Sequence, residues 1–96
     1  MFLKIIGKNK ISSDLELVQQ YQKTGDNQYV GELFERYTHL VFGVCLKYLK
    51  NEAQSKDAVI LIFEKLLKDL KKHQIENFKS WLHRVSQNHC LMYLRK

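Results

Sequence analysis

Residues 33–49 read LFERYTHLVFGVCLKYL, and the spacing of their apolar side chains predicts a long amphipathic helix. After Phe34 the apolar positions advance in steps of three and one, which places them on one helical face. The resulting stripe is wide enough to pack against two neighbouring helices. We expect this helix to run from about residue 28 to 50. Gly43 lies inside it at a cost of roughly 1 kcal/mol relative to alanine, and close approach of another helix is the expected compensation.

Three further helices are predicted around this one. Ser13 and Glu16 have the spacing of a capping box and begin a first helix, with Leu15, Val18 and Tyr21 as its apolar positions. Gly25 ends that helix, because glycine accepts the left-handed conformation after a helix C-terminus.

A third helix is predicted from about residue 52 to 71, and Asn77 is the expected N-cap of a fourth. The buried residues expected in the fourth helix are Phe78, Trp81, Leu82, Val85 and either His89 or Cys90. The chain has no proline and four glycines, which disfavours a turn-rich β-sandwich. We therefore predict an all-α fold, a compact bundle of about four helices, with residues 1–11 as an N-terminal arm and 12–96 as the domain.

Composition and charge exclude several classes of protein. No apolar run approaches the roughly 20 residues of a membrane span, which disfavours a membrane-spanning protein. With 45% apolar residues the chain can form a core, which disfavours a wholly disordered protein. The net charge is +6. It comes entirely from residues 65–96, which hold eight basic and two acidic side chains, whereas residues 1–64 hold eight of each.

Residues with catalytic or metal-binding chemistry are sparse. The sequence has no glycine-rich phosphate loop, no paired carboxylates in an apolar setting and no supported Ser-His-Asp arrangement, so we expect no enzyme and no cofactor. His83, His89 and Cys90 are the nearest approach to a metal site, but no CxxC or HxxxH spacing supports it. Cys45 and Cys90 lie in apolar helical patterns, and we interpret them as reduced thiols of a cytosolic protein.

The basic last third mixes cations with aromatic and amide side chains. Lysine and arginine neutralise phosphates, asparagine and glutamine read base edges, and aromatic rings stack on unpaired bases. This pattern indicates nucleic-acid binding; the alternative is a solvated lysine-rich face with a tryptophan in the core. Separately, Ile60 and Leu61 fall outside the buried stripe of the third helix, and adjacent exposed apolar residues can mark a contact surface.

Three separated motifs resemble sigma-70-type RNA polymerase sigma factors. Residues 57–66, DAVILIFEKL, are similar to the family's D-L-V-Q-E-V-F-x-x-L segment. Residues 78–88, FKSWLHRVSQN, followed by YLRK at 93–96, resemble F-x-x-W-L-x-x-I-A-x-N…L-R-R of region 2 in extracytoplasmic-function sigma factors. Upstream, DLELV at 14–18, GD at 25–26 and LFERY at 33–37 resemble D-x-E-L-V…G-D…F-x-x-L-Y-x-R-Y.

The resemblance implies binding to core RNA polymerase, through the clamp helices of its β′ subunit, and to the melted non-template strand of a promoter −10 element. An anti-sigma factor is a further partner that the family allows. Carried onto this chain, the polymerase-binding residues are Asp57, Ile60, Leu61, Glu64 and Lys65. The DNA-binding residues are Lys71, Lys72, Phe78, Lys79, Trp81, Arg84, Gln87, Asn88, Arg95 and Lys96. The periodicity favours Trp81 as a structural anchor, whereas Asn88 lies off the buried stripe and is the stronger candidate for a DNA contact.

The sequence also departs from the family pattern. Ile60 and Leu61 replace the usual Gln-Glu pair, so the polymerase contact is expected to be more apolar, and Met92 stands where an acidic residue is common. The resemblance is to region 2 alone, and we expect residues 1–96 to lack the family's second domain, which reads the −35 element. The alternative function is a helical protein-interaction regulator without DNA binding. A double-strand-specific regulator ranks third, because no helix-turn-helix is evident.

Overall fold

The computed structural model describes residues 12–95, and within them it contains four helices and no strand. They are α1 (Asp14–Thr24), α2 (Asn27–Leu49), α3 (Glu52–Asp69) and α4 (Phe78–Leu94). The all-α prediction is therefore confirmed. The predicted N-terminal arm, residues 1–11, and Lys96 lie outside the described residues.

Side-chain caps set the helix starts, as the sequence predicts. Ser13 Oγ accepts from the Glu16 amide at 3.1 Å while the Ser13 amide donates to Glu16 Oε1 at 2.9 Å, which completes the capping box. Asn77 Oδ1 accepts from the Ser80 amide at 3.0 Å and begins α4. Gly25 follows α1 with φ of 75°, in the left-handed region.

The long helix α2 is the centre of the bundle and packs against all three other helices. Its buried residues Leu33, Val41 and Cys45 belong to one continuous core. Phe34 meets Phe63 of α3 with ring centroids 4.9 Å apart, and Tyr37 meets Phe78 of α4 at 5.7 Å. The long helix α2 therefore contacts three helices, one more than the two expected from the width of its apolar stripe.

Two local predictions are wrong. Leu15 is 37% exposed, and Leu17 takes its place in the core of α1. Gly43 has no close neighbour: a Cβ built there meets nothing within 4 Å among the described residues, and Gly43 itself is exposed. The glycine lies on the solvent side of α2, between the buried Val41 and Cys45, so no helix approaches it.

Cys45 and Cys90 are free thiols buried where α2 meets α4. Burial, followed by a hydrogen bond with Cys90, raises the pKa of Cys45 to about 12. Burial also raises the pKa of Cys90. Both thiols are thus protonated at neutral pH and act as small apolar core residues.

Candidate nucleic-acid interface

The linker between α3 and α4 lies against α1 and forms a groove of about 420 Å³. Linker residues 71–75 make one wall, and Leu15, Val18, Gln19 and Gln22 of α1 make the other. The lysines at 71 and 72 are exposed, whereas Leu15 and Ile75 supply apolar surface. The groove therefore combines an apolar floor with a cationic and amide rim.

Two residues of α1 hold the end of α3 and the linker in place. The Tyr21 hydroxyl donates to the Leu67 carbonyl near the end of α3. The Gln22 side-chain amide donates to the carbonyls of Leu70 at 2.8 Å and His73 at 2.9 Å. No sequence motif indicates these contacts, because the partners of Gln22 lie 48 and 51 residues away along the chain.

A second groove, of about 490 Å³, lies on α4 where it meets α2. It brings together three of the predicted DNA-binding residues, Lys79, Arg84 and Gln87. The remaining lining residues are Leu40, Ser80 and His83. The Gln87 amide donates to the Tyr48 hydroxyl at 2.7 Å, so part of its hydrogen-bonding capacity is used within the bundle.

The two aromatic residues at the start of α4 differ in exposure. Phe78 is 2% exposed and packs on Tyr37 and Trp81, so its ring is not free to stack on a base in this conformation, and its DNA-binding role stays a prediction. Trp81 is half-buried against the core. Its ring centroid lies 6.1 Å from that of His73, so it also joins α4 to the linker.

The outward side of α4 carries a polar stripe. Arg84, Asn88 and Arg95 recur at helical spacing and are all exposed, with Leu91 between the last two. Neither arginine has an ion-pair partner within residues 12–95. Their charges are thus available to an external anion.

The predicted polymerase-binding residues lie on the exposed side of α3. Ile60 is 58% exposed and Leu61 is 50% exposed, which confirms that they lie outside the buried stripe. Asp57 and Glu64 flank them without an ion-pair partner in the described part of the chain. Lys65 pairs with Asp69 at 3.6 Å. The face is an apolar centre with uncompensated acidic groups beside it.

Metal binding and membrane insertion find no support in the described residues. Residues 12–95 contain no group of three or more His, Cys, Asp or Glu side chains arranged to hold a metal ion. None of the four helices described is both long enough and apolar enough to cross a membrane. The predicted site residues lie in the two grooves, on the stripe of α4 and on the exposed side of α3.

Comparison with known proteins agrees with this arrangement. A family model described as Sigma-70 region 2 matches residues 33–96. The chain is also similar to an NMR structure of an engineered region 2 of sigmaE in complex with GTAAAA, with 31% sequence identity and a TM-score of 0.79. The likeness covers 86% of this chain and 86% of that one. No curated protein gives a significant match.

Proposed function

The chain belongs to the sigma-70 region 2 family of non-enzymatic transcription-initiation domains, and from this we propose how its surfaces work. The similarity to sigmaE is consistent with the extracytoplasmic-function subfamily. We propose that residues 12–96 act as one module in the cytoplasm. The exposed side of α3 docks on the β′ subunit of core RNA polymerase, while α4 and the linker before it capture the melted −10 strand of a promoter.

The observation that carries the DNA assignment is the polar stripe of α4, whose arginines have no ion-pair partner within residues 12–95. Arg84 and Arg95 have no intramolecular anion within residues 12–95, so phosphates can occupy both without breaking an ion pair. Asn88 stands between them and offers an amide to a base edge. The similar sigmaE region 2 was solved with GTAAAA, and we transfer that class of ligand to this chain.

The groove between α1 and the linker is the recess available to an unstacked base. Extruding a base from a duplex costs a few kcal/mol, and a melted strand needs compensating contacts. The exposed lysines at 71 and 72 can neutralise flanking phosphates, while the apolar floor accepts a base face. We therefore propose that the melted strand is captured by this groove and by the polar stripe of α4.

The polymerase assignment depends on the exposed side of α3. Ile60 and Leu61 present apolar surface that no part of residues 12–95 covers, so a partner can gain free energy by burying it. The flanking Asp57 and Glu64 favour a partner with basic residues around an apolar centre. This contact is more apolar than the Gln-Glu pair of the family would make it.

Asn88→Ala tests the DNA assignment. We expect the affinity for fluorescein-labelled single-stranded GTAAAA, measured by anisotropy, to fall about fivefold or more, since a lost base contact costs about 1–3 kcal/mol. Asn27→Ala is the matched control, because Asn27 is an exposed asparagine at the start of α2. Equal affinity in the Asn88 variant and the wild type would remove Asn88 from the site. If the wild type binds no single strand, the protein-interaction alternative is favoured.

Leu61→Asp tests the polymerase assignment. A carboxylate at the centre of the apolar contact must be desolvated on docking, so we expect recovery in a core polymerase pull-down to fall at least tenfold. Met92→Asp is the control: Met92 is 65% exposed on α4, so this substitution introduces the same charge on another helix. Undiminished recovery with Leu61→Asp would place the docking face on another surface.

A further inference from the structure

We propose that Gln22 of α1 is a positioning residue for the DNA-binding linker. This inference rests on the proposed function and extends it, because α1 lies outside residues 33–96 that match the family model. It assigns α1 a part in strand capture through the linker it holds, without any contact between Gln22 and DNA.

The end of α3 has no left-handed glycine cap. The last carbonyls of a helix have no intrahelical donor, and a left-handed glycine after the helix commonly supplies the missing hydrogen bonds. Here the C-cap is Leu70 in a right-handed conformation. The donors come from α1 instead: Tyr21 donates to the Leu67 carbonyl, and Gln22 donates to that of Leu70.

Gln22 also fixes the chain beyond the helix. The same side-chain nitrogen that donates to Leu70 donates to the His73 carbonyl, so one amide holds both ends of a short turn. Lys71 and Lys72 are the two residues between these anchored carbonyls. Gln22 thus helps to set where both lysines leave the backbone, and the Lys71 ammonium also lies over the Tyr21 ring, 5.5 Å from its centroid. These lysines are the cations that the linker offers to DNA.

The fixed turn also sets the position of the His73 side chain. The His73 ring lies 6.1 Å from Trp81, the protein's one tryptophan, so the position of the turn is transmitted to the start of α4. Within residues 70–77 the linker makes one backbone hydrogen bond apart from those at the helix ends, from the Lys72 amide to Asp69. The linker therefore depends on side chains for its conformation.

The fold does not depend on Gln22. The residue is exposed, whereas its neighbour Tyr21 is 1% exposed and supplies the core contact between α1 and α3. Losing Gln22 should thus release the linker and leave the bundle intact. This separates a positioning role from a structural one, since unfolding and DNA binding will respond differently.

The test compares Gln22→Met with Gln20→Met. Methionine keeps the length of the side chain and removes its donors; Gln20 is exposed on α1 but does not line the linker groove, and its side chain makes no hydrogen bond within residues 12–95. We expect Gln22→Met to weaken binding of single-stranded GTAAAA about threefold to tenfold, the equivalent of about one neutral hydrogen bond. Acrylamide quenching of Trp81 fluorescence in the free protein should increase, with the thermal unfolding midpoint nearly unchanged. Gln20→Met should alter neither binding nor quenching.

Each outcome decides the proposal. Weaker binding together with greater quenching, in Gln22→Met alone, supports it. Wild-type affinity in Gln22→Met overturns it, and so does an equal loss in Gln20→Met, which would show a general effect of removing an amide from α1. A lowered unfolding midpoint that accounts for the lost binding assigns Gln22 a structural role. If the wild type does not bind GTAAAA, the proposed function fails first, and the quenching comparison reports separately whether Gln22 holds the linker.

Discussion

Ser55 shows how one buried polar atom can reduce the stability of the bundle. The residue is fully buried in α3, and its hydroxyl has no hydrogen-bond partner among the described residues. An unsatisfied buried hydroxyl costs about 1–3 kcal/mol. We therefore expect Ser55→Ala to raise the free energy of unfolding in urea by about 1 kcal/mol.

Ser86→Ala is the control for this prediction. Ser86 is equally buried, but its hydroxyl donates to the Leu82 carbonyl at 2.9 Å. Removing a hydroxyl that already has a partner should not stabilise the protein. A loss of stability in Ser55→Ala would show that the Ser55 hydroxyl has a partner after all, such as a buried water.

Contacts between residues close together in sequence could be predicted, whereas contacts between residues far apart in sequence could not. Ser13 and Asn77 could be identified as caps because the amides they bind lie three residues away. Phe78 and Trp81 could both be placed on the core side of α4, but periodicity did not reveal that Phe78 is the more deeply buried. Gln22 gave no signal, since its two carbonyl partners become neighbours only in the folded bundle.

Among the elements, α2 offers the clearest gain in stability. Gly43 lies in the interior of α2, and a Cβ there meets no atom of the described residues within 4 Å. Alanine should therefore supply its higher helix propensity without a steric cost. We expect Gly43→Ala to raise the free energy of unfolding in urea by about 1 kcal/mol.

Gly25→Ala provides the opposite case. Its Cβ would also meet nothing within 4 Å in the described part of the chain, but Gly25 has φ of 75°. Alanine there should lower stability by roughly 1 kcal/mol, because a side chain strains the left-handed conformation. If Gly43→Ala lowers the free energy of unfolding instead, the added methyl group must clash with a neighbour of α2. Close packing would then explain why glycine occupies this position.

Hydrophobic spacing predicted the overall span of a helix better than its last residue. The predicted span of α2, residues 28–50, is close to the observed Asn27–Leu49. The predicted third helix extended to residue 71, whereas α3 ends at Asp69. The reason is tertiary: Tyr21 and Gln22 take up carbonyls at the end of α3, and a single sequence does not show which distant side chain will do so.

For the whole molecule, the uneven charge predicts how DNA binding responds to salt. Residues 65–96 hold eight basic and two acidic side chains, and of the described basic residues in this part only Lys65 forms an ion pair within residues 12–95. Affinity for single-stranded GTAAAA should fall as salt rises, with a log–log slope of about 0.7 per phosphate neutralised.

Arg84→Ala should reduce that slope by about 0.7. Lys56→Ala, on α3, should leave it unchanged because Lys56 already pairs with Glu52 at 3.6 Å. Asn88→Ala should weaken binding at every salt concentration with the wild-type slope, since a neutral amide releases no counterions. A wild-type affinity independent of salt would contradict the phosphate contacts, and a changed slope in Asn88→Ala would contradict its assignment as a base contact.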